Sequence, residues 1–349
     1  MKKILGVLLI TFLLVGCSIK SNKVNLNDKY GVIFSNQYGD GKMYLYNNEG
    51  KLLGTEKIPG SAVDENGSSY LNGPQFSSGK WYLGCSSATK MQDFLLTVDK
   101  ESLYINKVPA NVGTTYGYTG YQVNNDDLYT FYSTPDRGAV IIKSSISTGK
   151  KLGETSVGNS ILMHVVPYKD DVILISDSIG GANTGMAVRI MDSKTLTVKS
   201  EYFNEDNYFI NDVYVNGNKL YMVPFLEKGD RPTNKLLIYD IEGKSLESID
   251  LPFTDSRYIR VKNDLMYITQ QKIDSNKSSM VVLNMKNKTV GNTVNFDYVP
   301  REVVIDNDTL VTATENNIYI YDLETLKLIK SINVENIDSD LMFGAFICR

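Results

Sequence analysis

The chain has one tryptophan, one histidine, three cysteines and seven arginines in 349 residues. Each scarcity removes a class of chemistry. His164 and two spare cysteines do not make a credible ligand set for zinc. No nucleophile motif stands beside His164 to complete a triad, so the expected role of that residue is structural. No apolar run approaches the ~20 residues that a membrane-spanning helix needs; the run Ile4–Val15 stops well short. There is no block of like charge. The formal charge is −4, becoming −6 without Lys2 and Lys3, which argues against nucleic acid or an anionic lipid surface as the main partner. The glycine-rich GGANTG at Gly180–Gly185 lacks the Lys-Ser/Thr of a phosphate-cradling loop. Acidic clusters at Asn125–Asp127 and Asp306–Asp308 lack the downstream Glu of an EF-hand and read as turn residues. No metal and no cofactor is expected.

What the chain does have is a repeat. An apolar stretch, a polar turn and a second strand-like stretch recur, with turns beginning at Asn47, Asp99, Ser145, Asp192, Asp240, Asn284 and Asp322. The spacing is about 40 to 50 residues, the period of a β-propeller blade. A second strand–turn–strand phrase precedes most of these turns, as in VYVNGNKLYMVP and VVIDNDTLVTAT. Together they predict an all-β fold: a β-propeller of seven four-stranded blades, in one domain over residues 29–349. The units are Tyr30–Ile58, Gly73–Val108, Gly120–Val157, Met163–Phe203, Ile210–Leu251, Tyr258–Phe296 and Glu302–Val334. The 23 tyrosines suit strands half-buried between sheets. The first unit lacks an inner strand, which either the apolar tail Ser339–Cys348 or the segment Lys23–Asp28 would supply.

The start of the chain places two lysines, Lys2 and Lys3, before the apolar Ile4–Val15, and then Leu14-Val15-Gly16-Cys17. This resembles the lipobox of bacterial lipoproteins. The resemblance implies a lipoprotein signal peptide over residues 1–16, cut before Cys17, whose thiol carries a diacylglycerol and whose amine is often acylated. Two or three acyl chains anchor stably where one does not. Residues 17–28 are then a polar tether. The expected location is the extracytoplasmic face of a cell membrane, held there by the lipid on Cys17.

Ile146–Gly153 (ISTGKKLG) resembles the TGK phrase of quinoprotein-like propeller repeats, and Tyr321–Leu328 (YDLETLKL) is similar to the YVTN-type repeats of bacterial surface propellers. The likeness implies fold rather than activity. The tryptophan that ends each quinoprotein repeat is absent, so no quinone cofactor is implied.

Four of the seven arginines, Arg137, Arg231, Arg257 and Arg301, fall in loops joining strands B to C or D to A, which share one face of a propeller. Tyr118, Tyr208 and Tyr298 fall in the same loops. Arginine with tyrosine is a frequent anchor pair at recognition surfaces. The leading expectation is a non-enzymatic binding or scaffolding lipoprotein that recognises an envelope protein or glycan. The rival is a propeller lactonase, lyase or glycan hydrolase built on Asp206, Asp212, Asp255 and Glu302. A structural spacer is the third reading. Cys85 and Cys348 would join an early segment to a late one if they formed a disulfide; the alternative is two small buried hydrophobes.

Overall fold

The computed structural model describes residues 28–35, 41–58, 62–63, 73–86, 94–112, 120–178, 185–227, 231–271, 275–334 and 341–349. It is a seven-bladed β-propeller, with no helix among the described residues. Each blade is an antiparallel sheet of four strands, here lettered A to D from the axis outward. Blade 2 runs from Gln75 to Pro109, blade 3 from Gly120 to Val157 and blade 4 from Ser160 to Asn204. Blade 5 covers Phe209–Asp250, blade 6 Ser256–Phe296 and blade 7 Glu302–Asn333. Blade 5 carries an extra short strand, Arg231–Pro232, on its strand B.

Blade 1 is assembled from both ends of the chain. Its strands B, C and D are Asp28–Ser35, Gly41–Asn47 and Leu52–Ile58, while strand A is Met342–Cys348. Strand A pairs antiparallel with strand B from Tyr30↔Cys348 to Ser35↔Met342. Phe343, Phe346 and Ile347 of this last strand are buried, and Phe346 stacks on Tyr30 with ring centroids 5.9 Å apart. The only tryptophan fastens it to the next blade, since Trp81 Nε1 donates to the Cys348 carbonyl at 2.8 Å.

The core lies between blades as a set of layers. One layer joins blades 4 and 5 through Ile173, Met186, Leu220 and Met222, and another joins blades 5 and 6 through Val223, Leu236, Ile268 and Val281. This explains the strand patterns. Strand C of blade 3 (Gly138–Ser145) is buried at every position because both of its faces meet a neighbouring sheet. Strand D (Lys151–Val157) alternates, since it forms the outer rim. Tyrosine hydroxyls stitch adjacent blades together: Tyr121 donates to the Tyr82 carbonyl at 2.8 Å and Tyr168 to Asn218 Oδ1 at 2.9 Å.

The periodic acidic residues are consumed by the C–D turns. Asp192 Oδ1 accepts the backbone N–H of Lys194 and Thr195 at 2.9 and 2.8 Å, and these donors hold its carboxyl well below the usual range. Asp322 and Asp240 cap their turns in the same way. Gly138 is required by its turn. Its φ is +67°, and an added Cβ would lie 2.5 Å from the Asn159 nitrogen. Gly138→Ala is therefore expected to lower stability by about 2 kcal/mol or more, seen as a reduced melting temperature; an unchanged melting temperature would contradict this account.

Cys85 and Cys348 are both buried and no disulfide joins them, which corrects the disulfide alternative. Each is held by its own sheet: Cys348 ends strand A of blade 1, and Cys85 lies in a two-residue strand paired with Ala62–Val63. Burial pushes the Cys348 thiol well up, so it packs as a small apolar side chain.

Candidate functional site

The strands A surround a central channel of about 750 Å³, lined by residues of all seven blades. One layer of it can be followed by register. His164, Asp212, Tyr258 and Glu302 occupy matching positions on strands A of blades 4 to 7, paired with Ile175, Val223, Thr269 and Ala313 of their strands B. On the facing side are small residues, Gly73, Gly84 and Gly344. The channel is thus polar on one wall and open on the other.

Arg260, two residues beyond Tyr258 on the same strand, organises the polar wall. Its Nη1 donates to Asp212 Oδ2 at 3.0 Å, its Nη2 to Glu302 Oε1 at 2.9 Å and its Nε to the Val303 carbonyl at 2.6 Å. One guanidinium therefore ties blades 5, 6 and 7 together at the axis. Burial works against its charge, but Asp212 and Glu302 more than offset this and hold its pKa above the ordinary value. Burial pushes the Glu302 carboxyl up, and Arg260 draws it only part of the way back. Burial lowers the pKa of His164, with Asp212 acting in the opposite direction. Its Nε2 lies 3.1 Å from the Ile210 carbonyl, so Nε2 carries the proton of a neutral ring.

These two shifts have opposite consequences for stability. For His164 the unfolded chain binds the extra proton, so stability falls as pH drops below its ordinary 6.5. For Glu302 the folded chain binds it, so stability falls as pH rises above 4.5. His164→Gln is expected to flatten the first slope and Glu302→Gln the second in urea titrations across pH 4 to 8 (about the range spanning both transitions). A variant that keeps its parent's slope would refute the corresponding assignment.

The residues expected from sequence divide into three groups. Arg257 and Arg301 line the channel at the end where the D–A loops enter, and they directly precede the matched Tyr258 and Glu302. The Arg257 guanidinium lies 5.6 Å from the Tyr258 ring centroid, and Arg301 Nη2 donates to Glu315 at 2.7 Å. Arg137 and Arg231 do not line the channel. Arg137 pairs with Glu154, and Arg231 with Glu227 at 3.2 Å. Among the tyrosines, Tyr208 is a core residue, only 4% exposed, which corrects its expected place on a recognition surface. The Tyr298 hydroxyl is shared between Thr312 and Tyr321 at 2.7 Å, and its ring stacks on Tyr319 at 3.9 Å. Tyr118 and Cys17 lie outside the described residues.

Of the four rival carboxylates, Asp212 and Glu302 converge, but on Arg260. Asp255 accepts from Thr254 at 2.7 Å in a left-handed turn, and Asp206 lies exposed in the loop between blades 4 and 5. Among the described residues no group of three or more His, Cys, Asp or Glu could hold a metal ion.

No family model matches the chain, and no curated protein matches it. Solved structures do. It is similar over 80% of its length, and 80% of the other chain, to a chain in the crystal structure of the Mitotic Checkpoint Complex, at 11% identity and a TM-score of 0.59. It is also similar to the computationally designed protein Ika8, with 87% of each chain covered, 11% identity and a TM-score of 0.56. Apo AztD from Citrobacter koseri aligns over 92% of this chain and 98% of its own, at 12% identity and a TM-score of 0.50. At these identities the likeness is one of fold alone. The chain is a β-propeller.

Proposed function

We propose that this propeller is a binding or scaffolding protein held outside a cell membrane by lipid on Cys17, and that the D–A face receives a protein or glycan of the envelope. The observation that carries the reading is the placement of Arg257 and Arg301 at equivalent positions of adjacent blades at the channel mouth. The opposite, A–B face is where Asp28 begins strand B of blade 1, beside Asp306 of the blade 7 A–B turn, which pairs with Lys29 at 2.9 Å. A tether of residues 17–28, reaching at most about 40 Å when extended, would hold the A–B face toward the lipid and turn the arginines away from it. The enzyme reading is weaker because Arg260 occupies the two carboxylates that converge, leaving no second one opposed for acid–base work.

The test is capture of partners from crosslinked membranes with the lipidated parent, an Arg257→Ala/Arg301→Ala variant and a Cys17→Ala variant. A partner held by the parent and lost from the arginine variant, together with release of the Cys17 variant from the membrane fraction, is the expected result. Equal capture by parent and arginine variant would remove the D–A face from the proposal. Retention of the Cys17 variant in membranes would remove the anchor.

A further inference from the structure

Ten large apolar side chains are exposed among the described residues, and they are unevenly placed. Tyr104, Leu152, Val198, Val290, Leu328 and Ile329 stand in or just after C–D turns. Phe76 and Leu265 flank A–B turns. Both kinds of turn lie at one end of the propeller, because Asp127 at the start of strand B in blade 3 pairs with Ser145 at the end of strand C. The other two, Ile161 and Met342, begin strands A at the D–A end. Eight of the ten therefore belong to the A–B face, and blades 2, 3, 4, 6 and 7 supply them. Apolar residues scattered singly over a surface are ordinary; a gathering at one end marks a contact surface.

The blade repeat shows that these positions need not be open. Ile105 of blade 2 and Leu246 of blade 5 occupy the same place after their C–D turns, and both pack against core layers. Leu152, Leu328 and Ile329 are instead more than half exposed, at 57%, 52% and 59%.

The path of the chain says what covers this face. Residues 1–27 precede the described structure, and Asp28 enters strand B of blade 1 at this end, paired with Asn47 where the C–D turn begins. A lipid on Cys17 would hold the face within about 40 Å of the bilayer. At the effective concentration such a tether sets, weak apolar contacts suffice. The formal charge of the chain is negative, so the attraction comes from buried apolar area rather than from anionic headgroups.

We propose that the A–B face lies on the bilayer itself, with Leu152, Val198, Val290, Leu328 and Ile329 entering the boundary between headgroups and acyl chains. The inference rests on the Cys17 anchor proposed above. It adds a second contact that fixes the orientation of the ring.

The experiment uses the lipidated protein in phosphatidylcholine vesicles, with a fluorescent label on a cysteine introduced as Leu152→Cys, Val198→Cys or Ile329→Cys. Ile161→Cys and Met342→Cys are the opposite-face controls, and burial shields Cys85 and Cys348 from the label. Each labelled variant is first matched to its parent by melting temperature. Nitroxide lipids are expected to quench the A–B face labels about threefold or more over the controls. The difference should persist in roughly 0.5 M salt, where charges are screened within a few ångströms. Equal quenching on both faces, in protein that floats with the vesicles, would overturn the proposal and leave the anchor standing. Loss of the difference in high salt would overturn it as well. Protein that fails to float would overturn the anchor, and this inference with it.

Discussion

A chain ended at Asp340 is expected to lose cooperative folding. The deletion removes strand A of blade 1, and with it the buried Phe343, Phe346 and Ile347. At about 1.5–3 kcal/mol for each large apolar side chain, these three alone supply roughly 5–9 kcal/mol. That is comparable to the whole stability of a typical domain, about 5–15 kcal/mol. The loss extends to what remains, because Tyr30 and Phe34 give up the rings that cover them, and strand B becomes an unpaired edge. Urea unfolding followed by circular dichroism should show no sharp transition for the truncated chain. A synthetic peptide of residues 341–349 should restore one in a concentration-dependent way. A truncated protein with a parent-like midpoint would show that the ring does not need this strand.

Arg260→Met is expected to destabilise the protein by about 2–3 kcal/mol, less than the roughly 3–5 kcal/mol of a fully buried pair, because the Arg260 and Asp212 side chains are 26% and 23% exposed while Glu302 is buried. The substitution keeps most of the side-chain length but leaves Asp212 and Glu302 facing each other without a counter-charge. Adding Glu302→Gln to that variant should recover part of the loss, since it removes one of the orphaned charges. The measurement is a double-mutant cycle in urea at neutral pH. If Arg260→Met costs less than about 1 kcal/mol, Arg260 contributes no more than a surface ion pair would.

The fold was legible because turn chemistry repeats. Asp99, Asp192, Asp240 and Asp322 each cap a C–D turn with their own carboxylate, so the blade period is written in residues that cannot easily be exchanged. The site was less legible for reasons of geometry. Loops D–A and B–C share a face, but only the D–A loops adjoin the axis. Arg257 and Arg301 therefore reach the channel, while Arg137 and Arg231 are held by glutamates away from it. Arg260 lies within a strand rather than a loop, where the loop-based pattern of arginines does not reach. The signal available was a charged residue alternating with Tyr258 on an innermost strand. Tyr208 and Tyr298 look like surface anchors in one dimension, yet one is packed in the core and the other spends its hydroxyl on Thr312 and Tyr321.

The two-ended construction of blade 1 also sets an order in time. Its outer three strands leave the ribosome before the other six blades, and its innermost strand, Met342–Cys348, after all of them. More than three hundred residues separate Ser35 from its partner Met342, so among the described residues this pairing is the longest-range contact between strands and the slowest kind to form. Until Met342–Cys348 arrives, the ring has an open seam and blade 1 has an uncovered flank. Closure of the ring therefore waits on Met342–Cys348, and the six blades made before it can form only an open arc.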